Sequence, residues 1–405
     1  MTKTKGYLDL LKVYPNFRRL YAAEFISLLG DWFNLIAILS LLREIGADSA
    51  SAFGGALILK SLPSILVAPH AGVYADRFSR RNIMITADVI RMIVVLAMFG
   101  TLLIPSAYYL YALLLLQSAC SGFFQPARAA ILPSLVERED LPSANALGAT
   151  TWSLMLTVGV ALGGLVTEYF GWQIALLVDA ATYLISACFL IAMVEPVVQR
   201  SEGDQVIRFS QAFEYLSKHL EVLRLVCVKA AWNCAGAITL MLTILGERRF
   251  SSGDGAILGV TALYMARGLG TGIGPILGRS ISRNSNGRFE ILIGVGFVLG
   301  LVFFIGVGHA PTLWLACICL IPAHIGGSMS WVFSTVRLQQ ELPEYIRGRV
   351  FALEQAGFIA MFVVTNAVYG WLIDTEILTV SEAFTFMAMS MALPALAWYL
   401  TRKRI

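Results

Sequence analysis

Charge is what this chain has least of. Only 14% of its 405 residues are Asp, Glu, Lys or Arg, against 58% hydrophobic, and mean hydropathy is +0.73. Soluble globular domains carry about a quarter charged residues, so a soluble fold is excluded, and the net charge of +4 is no argument for nucleic acid. No glycine-rich loop runs into a lysine followed by Ser or Thr, which excludes ATP as the direct energy source. A nucleophile elbow and a histidine pair at zinc spacing are also missing. The expectation is therefore a protein that is not an enzyme and needs no cofactor. Cysteine is scarce as well. Cys120, Cys188, Cys227, Cys234, Cys317 and Cys319 all sit in apolar runs and read as packing residues, not as disulfides or metal ligands. His70 and His324, single in apolar surroundings, read as core histidines.

What the chain does have is long apolar runs. Runs of about 18 residues or more predict twelve membrane spans near 20–42, 52–74, 83–103, 108–130, 144–166, 172–194, 222–245, 256–277, 291–307, 313–336, 350–373 and 383–399. With that count both chain ends fall on one side, and 22 of the 30 lysines and arginines fall there too. Basic residues resist translocation, so that side is expected to be cytoplasmic. The basic first 19 residues read as a retained cytoplasmic tail and not a cleaved signal. The longest polar segment, 195–221, divides residues 1–194 from residues 222–405. Phe209, Phe213, Leu216 and Leu220 recur within it at helical spacing, which predicts a helix lying along the membrane surface. The predicted fold is all-α, two six-helix bundles joined by a cytoplasmic linker.

The densest knot of charge is Gly72-Val73-Tyr74-Ala75-Asp76-Arg77-Phe78-Ser79-Arg80-Arg81, between the second and third spans. It echoes the second half at an offset near 206 residues: Gly72 and Arg77 match Gly278 and Arg283, while Asp76 falls opposite Ser282. Duplicated halves are the expected architecture of an alternating-access transporter.

The pattern Gly-x-x-x-Asp-Arg-x-x-Arg-Arg between the second and third of twelve helices resembles the loop signature of the major facilitator superfamily, and the likeness runs along the whole chain. Asn16-Phe17-Arg18-Arg19-Leu20, Ser27-Leu28-Leu29-Gly30-Asp31, Gln125-Pro126-Ala127-Arg128-Ala129-Ala130, Asp179-Ala180-Ala181-Thr182-Tyr183, Ala266-Arg267-Gly268-Leu269-Gly270 and Arg347-Gly348-Arg349-Val350 resemble bacterial drug and siderophore exporters of the macrolide-efflux and enterobactin-export type. The resemblance implies export of amphipathic small molecules by proton antiport from the bacterial inner membrane. One departure stands out: Val160 occupies the place where antiporters of the family usually have proline in the fifth helix, and Gly274-Pro275 keeps such a pair in the eighth.

Ionisable residues inside spans are functional candidates by default. Asp31 lies mid-span, Glu24 seven residues before it on the same helix face about 10 Å away, and Ser27 and Asn34 share that face. Such a polar stripe suits a watered cavity, with Asp31 first and Glu24 second as proton carrier or substrate contact. Lys60, Lys229 and Arg267 are the countercharges; Arg267 is placed to reach an anionic substrate or a carboxylate. Asn233 joins the cavity list. For the cytoplasmic gate the expectation is Gly72, Asp76, Arg77, Arg80, Arg81, Asp88, Arg128 and Glu354, with Asp76 at the start of the eleventh span and the arginines paired to Asp88 or Glu354. Asp88 and Arg91, three apart, also fit a local pair.

The function expected is proton-coupled export of a small organic molecule by a monomer whose partners are substrate, protons and lipid. A siderophore or metal exporter, a lysophospholipid flippase and a non-transporting sensor or scaffold are the alternatives.

Overall fold

The computed structural model describes residues 7–137, 140–195, 209–250, 256–282 and 286–401, with no strand among them. The chain divides into two compact units, one of residues 1–48 and 55–200, the other of residues 49–54 and 201–405. Nine helical stretches among the described residues are long and apolar enough to cross a membrane.

The first unit opens with a short helix α1 (Tyr7–Val13) and the long α2 (Pro15–Glu44). Pro15 starts α2 at a position where its missing N–H is no loss. Next come α3 (Ala50–Arg77), which belongs to this unit from residue 55 on, α4 (Arg80–Ala97), α5 (Ala107–Ile131) and α6 (Leu141–Ala192). Ser79 caps α4, its side chain accepting from the Asn82 N–H at 3.1 Å. The 52 residues of α6 hold the fifth and sixth expected spans. They are separated at Gly171, whose φ of +82° lies where a side chain would be strained, inside the gap expected between residues 166 and 172. Helix α6 packs along α2 and α4, and Phe17, Leu20, Met84, Phe124, Ile131, Leu190 and Met193 form a dry core at one end of this unit.

In the second unit α7 (Phe209–Lys218) falls inside the expected linker, with Ala212 and Leu216 buried and Phe213 exposed. It leads into α8 (Leu220–Trp232), α9 (Ile238–Arg248), α10 (Ala256–Ser282), α11 (Asn286–His309), α12 (Leu313–Glu341), α13 (Glu344–Asp374), α14 (Val380–Ser390) and α15 (Ala392–Thr401). The seventh expected span is broken between α8 and α9 by a 3-10 turn at Asn233–Ala235, and the twelfth between α14 and α15. Helix α14 starts with a capping box in which Thr379 and Glu382 satisfy each other's backbone N–H groups. Helix α12 is the hub of this unit, packed on α10, α11 and α8.

Candidate functional site

Each unit carries a buried polar cluster, and nearly every membrane charge in it has a partner. In the first unit the cluster is built by α2, α3, α4, α5 and α6. Asp31 accepts a hydrogen bond from the Tyr183 hydroxyl at 2.7 Å, and Tyr183 accepts one from Gln117 Nε2 at 3.1 Å. One turn along α2, Asn34 is fully buried and its Oδ1 accepts from Lys60 Nζ at 2.6 Å. Lys60 lies close enough to feel the charges of Asp31 and Asp179, yet among the described residues neither carboxylate has an ion pair within 4.0 Å.

Asp179 was not singled out by the reading of polar stripes. Its residue is wholly buried, neither carboxylate oxygen has a hydrogen bond of normal geometry, and the Asn34 side chain is the polar group that acts on it. It is seated against Gly30: a Cβ on that glycine would stand 2.6 Å from Asp179 Oδ1 and 2.0 Å from Thr182 Oγ1. The glycine beside Asp31 is thus what lets α6 bring its own acid close to α2. The signal for Asp179 was in the sequence, since it is itself an ionisable residue inside the sixth expected span.

Two further acids of this unit, Asp88 and Glu24, are held in ion pairs. Asp88 pairs with Arg91 and accepts from Ser186 Oγ at 2.6 Å, while the Arg91 guanidinium lies 4.5 Å and 4.7 Å from the ring centres of Tyr183 and Phe124. Arg128 holds Glu24 at 2.8 Å, so Glu24 is tied to α5. Arg80 and Arg81 do not pair with Asp88, whose partner is Arg91. Arg80 Nη1 donates to the Ala130 carbonyl at 2.7 Å, its N–H donates to Glu195 at 2.9 Å, and Arg81 Nε donates to the Leu190 carbonyl at 2.8 Å. They tie the start of α4 to the ends of α5 and α6. The backbone positions of Gly72, Asp76 and Arg77 fall in α3, and their side chains lie outside the described residues.

In the second unit Lys229 Nζ contacts Glu354 Oε2 at 2.9 Å and sits 4.4 Å from the Trp331 ring centre. Both residues are buried, with a side-chain exposure of 6% and 2%. Glu354, expected at the gate, thus pairs with Lys229 because α13 packs on α8. Asn233 Nδ2 donates to the Phe358 carbonyl at 2.6 Å. Arg224 pairs with Glu290 and lies 4.1 Å from the Trp398 ring centre; Arg337 pairs with Glu341 and stands 3.6 Å from Glu290. Those four charged residues line a cavity of about 830 Å³ between α8, α11, α12 and α15. Arg267 differs. Its Nη1 donates to Thr239 Oγ1 at 2.6 Å, and its Nε is buried without a partner.

Comparison with known proteins decides the family. The model of the Major Facilitator Superfamily matches residues 20–364. The chain belongs to the Major Facilitator Superfamily. This superfamily transporter is 28% identical over 353 residues to the putative bacilysin exporter BacE of Bacillus subtilis strain 168, covering 84% of each chain. It is 24% identical over 379 residues to the enterobactin exporter EntS of Salmonella typhi, covering 90% of this chain and 87% of that one. Among solved structures it resembles the D323A mutant of the nucleoside transporter NupG with a TM-score of 0.74 at 14% identity, covering 96% of this chain and 100% of that one. A bacterial homologue of the lysosomal transporter Spinster matches with a TM-score of 0.70 at 16% identity over 96% of this chain and 95% of that one. The superfamily member is a multi-pass membrane transporter, not an enzyme, and its substrate class is a small molecule.

Proposed function

We propose that the chain exports a small amphipathic organic molecule across the bacterial cytoplasmic membrane by alternating access, with proton entry as the driving force. The orientation, with both ends in the cytoplasm, rests on the bias of basic residues to one side. The observation that carries the coupling is the cluster in the first unit: two acids, Asp31 and Asp179, and one lysine, Lys60, within electrostatic reach of each other and without a direct ion pair. The neighbouring arginines Arg91 and Arg128 are neutralised by Asp88 and Glu24, so a proton gained or lost at the cluster changes its net charge. Charged groups cross a low-dielectric layer only at high cost, and a cluster whose charge depends on protonation favours different openings in its two states.

Similarity to proteins named as exporters of bacilysin and enterobactin supports the outward direction and a substrate of modest size. A second reading, export of a siderophore, draws on the second of these names. The test is reconstitution into liposomes holding a pH dye, with an imposed proton gradient and a panel of fluorescent amphiphiles, a dipeptide and a catecholate siderophore. Substrate movement accompanied by proton counter-movement is expected. Movement of a panel member that ignores the gradient and shifts no protons would replace this reading with facilitated diffusion.

A further inference from the structure

The second unit holds an unmatched cation. Arg267 sits near the middle of α10, and it is one of few interior basic residues of either unit, among those described, with no carboxylate at hand. Lys229 has Glu354, Arg224 has Glu290, Arg337 has Glu341, Arg91 has Asp88, Arg128 has Glu24, and Lys60 has Asp31 and Asp179 in electrostatic reach. The groups that face Arg267 include no carboxylate: they are the Thr239 hydroxyl from α9, the Tyr264 hydroxyl from its own helix and His324 from α12. Tyr264 is spent internally, bonded to Thr243 and to the Thr239 carbonyl at 3.1 Å each. Glu247, from α9, acts on Tyr264. Two buried polar atoms in this cluster have no partner, Arg267 Nε and His324 Nε2. His324 stands edge-on to Phe304 with ring centres 5.8 Å apart.

A guanidinium stays protonated wherever it is placed, so its charge cannot be shed, and one held inside a bilayer calls for an anion. Thr239 uses one arm of the fork and leaves others for a planar, bidentate acceptor. From the cation without a carboxylate and the two orphaned atoms beside it, we infer that Arg267, with Thr239 and His324 around it, is the binding site for an anionic group of the transported molecule, a carboxylate above all. The inference rests on the exporter reading and adds the substrate class: organic acids over their neutral esters.

The test uses the full chain in nanodiscs at neutral pH and three matched pairs: coumarin-3-carboxylate, an N-acetyl dipeptide and octanoate, each against its ester. A charge-assisted bidentate contact is worth a factor of about 10 or more in affinity. At least one acid is expected to bind more tightly than its ester by about that factor, Arg267→Gln is expected to abolish the preference, and Arg267→Lys, which keeps the charge but loses the fork, to retain part of it. Protection of Arg267 from phenylglyoxal by the acid, read by peptide mass spectrometry on the unaltered protein, gives the same answer if the Gln variant does not fold. Failure of all three acids to bind, equal affinity for acids and esters, or an acid preference unchanged in Arg267→Gln overturns the inference. If acids bind through Arg267 but no proton gradient moves them, the coupled-export reading falls and the site stands. If esters are exported as fast as acids and without Arg267, the site falls and the exporter stands.

Discussion

Neutralising one member of the Lys229–Glu354 pair is expected to destabilise the protein far more than neutralising both. The two side chains are 6% and 2% exposed, their charged atoms are 2.9 Å apart, and Lys229 Nζ is 4.4 Å from the Trp331 ring centre. Glu354 Oε1 has no hydrogen-bond partner, so the lysine is the main group that compensates this carboxylate. Removing one partner of a buried pair strands the other charge and costs about 3–5 kcal/mol, whereas replacing both by apolar groups of like volume is close to neutral. Lys229→Met and Glu354→Leu should therefore each lose about 3–5 kcal/mol, and the double variant should return to within about 1 kcal/mol of the parent. The assay is equilibrium unfolding in mixed micelles with increasing SDS, followed by circular dichroism, run on all four proteins of the cycle. Contacting residues show non-additive effects, while independent ones add within about 0.5 kcal/mol. Additivity of the two single losses in the double variant would refute the claim that these two residues form one neutral unit.

Four further outcomes follow from other contacts. Gly30→Ala drives a Cβ into Thr182 Oγ1 at 2.0 Å and Asp179 Oδ1 at 2.6 Å, so it should cost about 1–3 kcal/mol in the same unfolding assay and abolish export. Gly272→Ala, where a Cβ meets nothing within 4 Å, should be neutral or gain up to about 1 kcal/mol from helix propensity. Tyr183→Phe removes the donor to Asp31 at 2.7 Å and should cost about 1 kcal/mol. Glu24→Gln, which breaks a pair with side chains 18% and 22% exposed, should cost about 1 kcal/mol or less and leave α5 in place by the same measurement.

The length of the apolar runs and the scarcity of charge made the helical membrane fold legible, because a bilayer forces long helices with every backbone group paired. The breaks inside spans were not legible in the same way. The turn at Asn233–Ala235 lies within a run that stays apolar, so hydropathy passes over it. Local pairs were readable where spacing fixes geometry, as for Asp88 and Arg91 three residues apart. Pairs between distant helices were not: Glu354 meets Lys229 across 125 residues of sequence and Glu24 meets Arg128 across 104, and only helix packing decides such partners. Asp179 shows a different kind of miss. Thr182, Tyr183 and Ser186 stand three, four and seven residues after it on the same helix face, a polar stripe like the one around Asp31, and the simpler rule about intramembrane acids points to it as well.

The central claim is that Asp31 and Asp179 together bind the proton that drives transport. Liposomes carrying the parent protein, Asp31→Asn or Asp179→Asn can be compared for two activities, exchange of labelled for unlabelled substrate without a gradient, and uphill movement under an imposed pH gradient. The account predicts that both variants keep exchange and lose the gradient-driven movement together with its proton flux. Uphill movement at the parental rate in both Asn variants would contradict it.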